Sequence, residues 1–280
     1  TISNEVLDPD PVFYGESPVL IAKINGTNIS NVWLESNFKG GFNNYNNVSH
    51  ILDLYSFTIS SYDLSINQVV SWRYKASNNC GAITTGDLQS FLVLGTSLTT
   101  NPLNSDGNNG WFRTLPFVSL SYNNIGDTYY GFDVPNVLYV NEFIGADDHL
   151  TGGISTIKYY SADDSGRIEP LREHITKVDF TSPVIINKLP EENSVAENMP
   201  LIQATLKEIY QGNSGLEDSS VILMLDGNIL SHEYILFNEN HADVRYQVSE
   251  TLINGTHNLS VYIEDKAGNS NLEEWEFFVN

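Results

Sequence analysis

The chain has 280 residues, and 35 Asp and Glu against 13 Lys and Arg give it a formal charge of −22. So acidic a surface repels phosphate backbones and anionic headgroups, which excludes nucleic-acid binding, and no apolar run reaches the roughly 18–20 residues of a membrane-spanning helix. Hydrophobic residues make up 41% and charged residues only 17%, and the single cysteine, Cys80, excludes an intrachain disulfide and a Cys-based zinc cluster.

In chain order, the N-terminal TISNEVLDPDP has neither the basic nor the apolar region of a signal peptide, so the chain reads as a segment of something longer. Apolar, β-branched and aromatic runs follow: PVLIAKI (18–24), VVSWRYKA (69–76), FVSLSY (117–122), VILML (221–225), LSVYIE (259–264) and EWEFFV (274–279). They are short and bounded by Gly, Asn, Asp and Pro, and no 12-residue stretch has a clean helical period. Asp226-Gly227-Asn228 predicts a tight hairpin. The pattern predicts an all-β chain of sandwiches.

An internal repeat organises these strands. Three segments place Asn or Asp three residues before a glycine at the end of an alternating run: Asn78 before Gly81, Asp163 before Gly166, and Asp265 before Gly268. Another strand follows each, LQSFLVL, HITKVDF or EWEFFVN, so the same strand-turn-strand unit occurs three times. The spacing suits domains of about 90 residues. It predicts three tandem domains over 1–97, 98–182 and 183–280, joined by connectors too short to be floppy and so forming an elongated, semi-rigid array.

The segment Ser105-Asp106-Gly107-Asn108-Asn109-Gly110-Trp111, with Phe112, Thr114, Pro116 and the strand after it, resembles the opening of Ig-like repeats of the chitobiase C-terminal type, found on prokaryotic secreted and cell-surface proteins. YYSADDSGRIEP (159–170) and VDFTSPV (178–184) resemble that family's closing hairpin and connector. NSGLEDSSVILMLDG (213–227), NGTHNLSVYIEDKAGN (254–269) and the final WEFFV are similar to bacterial Ig-like domains. The first repeat resembles them through YGESPVLIAKI, NVWLES and SNNCGAI, with Asn78 for the usual Asp and Ala82 for the usual Asn. The resemblance implies three Ig-like β-sandwiches and an extracellular, cell-surface location. It also implies a non-catalytic spacer, adhesin stalk or surface-layer assembly unit of a prokaryotic, including archaeal, protein. The alternative it leaves open is an accessory module holding a secreted glycosidase or protease on its polymer. Partners under these readings are other surface proteins, further copies of the chain in a lattice or filament, or glycans.

Five N-x-S/T sequons occur, at Asn25, Asn28, Asn47, Asn254 and Asn258. In an exported archaeal protein they are glycan sites; in a bacterial one they are solvated asparagines. The aspartates Asp147, Asp148, Asp163, Asp164 and Asp179, with Asp8 and Asp10, either close Asx turns or supply hard oxygen ligands for calcium near the domain junctions. No other cofactor is expected. Gly212-Asn213-Ser214-Gly215 resembles a protease nucleophile loop, but no His-Asp pair is placed to activate Ser214, and no catalytic residue is predicted. His50, His149, His174, His232, His241 and His257 lack metal-binding spacing and read as surface or half-buried residues. Trp33, Trp72, Trp111 and Trp275 read as core aromatics ahead of a sugar-stacking platform, and Cys80 as a small packing residue. The three segments carry net charges of −4, −6 and −12. The last is therefore expected to face solvent or divalent ions, and the first to meet neighbouring molecules.

Overall fold

The computed structural model describes residues 1–140, 143–145 and 152–280. The chain folds into two compact units. The first comprises Thr1–Leu98, Leu120–Glu142 and Lys158–Glu173; the second comprises Thr99–Ser119, Phe143–Ile157 and His174–Asn280. Among the described residues there is no α-helix, only single 3-10 turns at Ser61–Asp63 and Asn108–Gly110.

In the first unit, residues 1–98 form a two-sheet sandwich. Its strands are β1 (Ile2–Asp8), β2 (Val12–Phe13), β3 (Val19–Ile24), β4 (Ile29–Ser36), β5 (Asn43–Tyr45), β6 (Ser49–Ile51), β7 (Leu54–Thr58), β8 (Val69–Asn78), β9 (Ile83–Thr85) and β10 (Gln89–Leu94). One sheet runs β1-β3-β7-β6 and the other β2-β10-β8-β4-β5, with β9 on β8. The side-chain period of two sets the core: β8 turns Val70, Trp72, Tyr74 and Ala76 inward, and β3 does the same with Leu20, Ala22 and Ile24. Trp72 meets Tyr74 edge-on, with ring centroids 6.0 Å apart. The buried Tyr74 hydroxyl donates to the Leu20 carbonyl at 2.7 Å, stitching one sheet to the other.

The middle of the chain supplies β11 (Thr96–Asn101), β12 (Phe117–Tyr122), β13 (Gly126–Gly131), β14 (Val137–Leu138), β15 (Gly153–Asp163) and β16 (Arg172–Val178). In the first unit β13 pairs antiparallel with β15, from Gly126 opposite Asp163 to Gly131 opposite Lys158, and with β14 on its other side. In the second unit Phe112 bridges Val178 in parallel and Val118 bridges Ile144 antiparallel.

The rest of the second unit is a sandwich built like the first. Its strands are β17 (Val184–Leu189), β18 (Val195–Ala196), β19 (Leu201–Lys207), β20 (Leu216–Leu225), β21 (Asn228–Ile229), β22 (Glu233–Asn238), β23 (His241–Gln247), β24 (Gly255–Asp265) and β25 (Ser270–Val279). The sheets run β17-β19-β23-β22 and β18-β25-β24-β20-β21. With β9 set aside, this order matches the N-terminal sandwich strand for strand. It is the immunoglobulin order: β1, β3, β7 and β6 take the places of strands A, B, E and D in one sheet, and β4, β8 and β10 those of C, F and G in the other. The all-β, Ig-like expectation therefore holds for both sandwiches.

The repeated turn has one geometry at all three places. Asn78 Oδ1 accepts from the N–H of Cys80 and Ala82, and Asp163 Oδ1 from those of Ser165 and Arg167, at 2.9–3.0 Å. Asp265 Oδ1 accepts from Asn269 N at 2.8 Å. In each turn the glycine N–H returns to the carbonyl of that Asn or Asp, and Gly81, Gly166 and Gly268 take φ of 81°, 79° and 90°. This is the three-residue hairpin loop with a glycine bulge, and the left-handed position is why glycine recurs there. The predicted hairpin at Asp226-Gly227 is a two-residue turn with φ of 51° and 77°.

The structure corrects the reading of two single residues. Cys80 is exposed at the first turn rather than packed, because its neighbour Asn78, not the thiol, closes the loop. His257 is 3% exposed rather than at the surface, since β24 alternation puts it on the face shared by Leu259 and Val261. Its Nδ1 lies 2.7 Å from Asp226 Oδ2 and its Nε2 2.8 Å from the Ile253 carbonyl. Both partners offer acceptor oxygens, an arrangement that favours the imidazolium, in which both ring nitrogens donate. Burial works against that charge, but the Asp226 and Ile253 hydrogen bonds outweigh it and raise the pKa.

A raised histidine pKa contributes stability that is full below the unfolded value of about 6.5 and is lost as pH rises through the folded one. Asp226→Asn suits the turn and keeps its acceptor, so it should cost roughly 1–2 kcal/mol at pH 5.5 and much less at pH 9, measured by urea melts. Gly81→Ala and Gly166→Ala meet no atom within 4 Å and should cost only the left-handed penalty of about 1–2 kcal/mol. Gly107→Ala should cost more than either, because its Cβ would fall 2.6 Å from the Ala267 carbonyl oxygen.

Candidate functional site

In the second unit the inward-facing ladders of two strands each end in an acid. Along β19 Ile202, Ala204 and Leu206 are buried, and the next residue in that register is Glu208. Along β24 the series Leu259, Val261, Ile263 ends at Asp265. Asp179, in the segment between β16 and β17, completes the group. One carboxylate oxygen from each lies within 4.8 Å of the other two, and all three residues are buried.

Backbone and amide donors hold two of the acids. Asp179 Oδ2 accepts from Ser214 N at 2.6 Å, and its Oδ1 from Thr181 N and Thr181 Oγ1 at 3.1 and 2.9 Å. The Asn269 side-chain amide donates both to Asp265 Oδ2 at 2.7 Å and to the Asp179 carbonyl at 2.9 Å, linking the third turn to the β16–β17 segment. Ser214 Oγ in turn accepts from Ala267 N at 3.0 Å. Residues 105–114 cover the outer side of that turn. Asn108 N donates to the Ala267 carbonyl at 2.8 Å, Asn109 Nδ2 to Lys266 O at 3.0 Å and Arg113 Nη1 to Gly268 O at 3.2 Å. Asp106 shapes the loop by accepting from Arg113 N and Thr114 Oγ1.

Glu208 is different. It is 4% exposed, yet among the described residues neither carboxylate oxygen has a hydrogen-bond partner. Burial, with the charges of Asp265 and Asp179 added, pushes its carboxyl up to about 8. Asp265 is also raised, by burial first, against the lowering effect of its Asn269 hydrogen bonds. The group can take up either a proton or a hard cation.

A second buried glutamate among the described residues shows what a satisfied one looks like. Glu169, in the first unit, is 2% exposed. Its Oε2 accepts from Thr96 N at 3.0 Å, and its Oε1 from Ser161 N at 2.7 Å and from the Thr96 hydroxyl. Arg172 donates to the Thr96 carbonyl and lies over the rings of Tyr14 and Tyr159.

Of the aspartates singled out from sequence, only Asp179 enters the acidic group. Asp163 closes its own turn, Asp164, Asp8 and Asp10 are exposed, and Asp147 and Asp148, like His149, lie outside the described residues. Glu208 and Asp265, which no metal-ligand motif singles out, are buried acids of the C-terminal segment. Ser214 is buried and bonded to backbone, not poised as a nucleophile. Trp72, Trp111 and Trp275 are buried, whereas Trp33 is half-buried. Asn25, Asn28, Asn47, Asn254 and Asn258 are all exposed.

No family model matches the chain, and no curated protein does. Among solved structures it is similar to the I-band fragment I67–I69 of titin, at 11% identity over 99% of both chains and a TM-score of 0.37. It is similar to extracellular domains 3–5 of Drosophila OTK, at 9% identity over 96% of this chain and 93% of that one, with a TM-score of 0.38. A bacterial ice-binding adhesin studied for host cell surface retention overlays at 16% identity, 100% and 98% coverage and a TM-score of 0.26. The Ig-like assignment rests on the strand order of the two sandwiches.

With divalent ions chelated, the folded chain holds a proton on Glu208 that the unfolded chain, near 4.5, releases, so this residue lowers stability progressively from about pH 4.5 to pH 8. Glu208→Gln removes that contribution. In EDTA its melting temperature should gain on the wild type as pH rises from 5 to 8, and a constant difference would contradict the raised carboxyl.

Proposed function

We propose that the chain is a non-catalytic structural or adhesive segment of an extracellular, prokaryotic cell-surface protein, made of three Ig-like modules over 1–97, 98–182 and 183–280. The observation that carries the reading is a parallel pairing between the start and the last strand of each repeat. Val12 pairs with Val93, Phe112 with Val178, and Val195 with Phe278. Every such pairing accompanies one copy of the Gly-closed turn, which supports three closed repeats in tandem.

Other features support the surface role. The interiors of both complete sandwiches are filled by packed apolar side chains, which supports a structural rather than a catalytic role. Exposure of all five sequons suits glycan attachment, and the strong negative charge suits a solvated exterior. Neighbouring surface proteins or further copies of the chain are its natural partners under this reading, with the nearly neutral N-terminal module as the contact face. Polymer binding in the service of an attached enzyme is the competing role.

Pulling the full chain in a force spectrometer tests the tandem arrangement. Three separate unfolding events, each releasing roughly 25–30 nm of chain, are expected. A single cooperative rupture would overturn it. Selective retention on one polysaccharide, abolished by replacing the fully exposed Tyr62 or another surface aromatic, would instead favour the accessory role.

A further inference from the structure

We propose that Asp179, Glu208 and Asp265 bind a divalent cation of calcium size within the C-terminal unit. The inference does not depend on the surface role above. Its starting point is Glu208, which is 4% exposed, aimed into the group, and without a partner for either oxygen among the described residues. An ionised carboxylate in that state is costly, and two further acids beside it make it more so.

The chain otherwise solves this problem with donors. Glu169 is as deeply buried and receives two backbone N–H groups and a hydroxyl. Around the acidic group of the second unit, the donors from Ser214, Thr181 and Asn269 go to Asp179 and Asp265 and none reaches Glu208. Among the described residues no Lys or Arg is bonded to any of the three acids; Lys266, beside Asp265 in sequence, pairs with Glu239. What is missing is positive charge at a point that all three carboxylates can reach.

The dimensions and chemistry of the group select the ion. Carboxylate oxygens that all lie within 4.8 Å of one another fit inside the about 4.6–5.2 Å that separates opposite ligands of calcium, and calcium accepts an irregular cage of protein oxygens where magnesium demands a near-ideal octahedron and keeps several waters. An all-oxygen donor set disfavours zinc and copper. The fixed hydrogen bonds to Asp179 and Asp265 orient those ligands from behind, as outer-shell partners do at metal sites. Asp179 also lines a surface cleft of about 390 Å³ with Val178, Phe180, Tyr210 and Gly212, which gives an ion a way in.

The full chain, stripped with EDTA and exchanged into buffer at pH 7.5, is titrated with calcium chloride and followed by native mass spectrometry and thermal melting. One calcium bound per chain at this site and a melting temperature rising by several degrees are expected, with magnesium giving a smaller shift. Glu208→Gln should bind one calcium fewer and lose the shift, while melting no lower than the wild type in EDTA. A wild type indifferent to millimolar calcium, which would leave Glu208 protonated, overturns the proposal. So does an unchanged stoichiometry in Glu208→Gln. Should that variant fail to fold, Glu208→Asp, which withdraws the ligand by one methylene, is expected to weaken calcium at least tenfold, and unaltered affinity would equally overturn the assignment.

Discussion

Backbone N–H groups gathered by one side-chain oxygen across a glycine-closed loop set the register of the long hairpins in this protein. At Asn78 and Asp163 that oxygen takes two amides, and at Asp265 one amide and a side-chain amide on its partner oxygen. A slip of one residue would turn every inward side chain of β8 or β24 to solvent. With register fixed, Trp72 and Tyr74 reach the N-terminal core, Leu259 to Ile263 reach the C-terminal one, and Asp265 arrives beside Asp179.

Because β-structure alternates faces strictly, a polar residue on the inward face has no freedom to leave. The protein meets that constraint in three ways. Glu169 is surrounded by donors, His257 is held between two acceptors that favour its charged form, and Glu208 has acids for neighbours. The first two are closed arrangements that anchor loops. Only the third is incomplete by its own chemistry, which sets it apart from ordinary structural polarity.

Much of this was legible in the sequence, since strands and turns are local. The Asx-glycine turns, the Asp226-Gly227 hairpin and the inward aromatics all follow from spacing. The buried acids were legible in part: Ile202, Ala204, Leu206, Glu208 and Leu259, Val261, Ile263, Asp265 each keep a period of two, so continuing the apolar face one step finds both carboxylates, and the same step back from Leu259 finds His257. What no local pattern could supply is that Asp179, far off in the chain, lies against them, or that residues 105–114 cover the third turn. Those depend on non-local contacts, for which sequence spacing carries no signal. Cys80 misled because burial is the habit of free cysteine in general, while a turn apex has no interior to offer.

The cover over that third turn imposes an order of assembly. Asn108, Asn109 and Arg113 donate to the carbonyls of Ala267, Lys266 and Gly268, and Gly107 admits the Ala267 carbonyl only because it has no side chain. Residues 105–114 leave the ribosome long before 265–269, so the earlier loop must wait, its donors solvated, until the last hairpin is synthesised. Biogenesis of the C-terminal unit therefore includes a late docking event, and a chain truncated before Asp265 would leave the donors of residues 105–114 without these carbonyls.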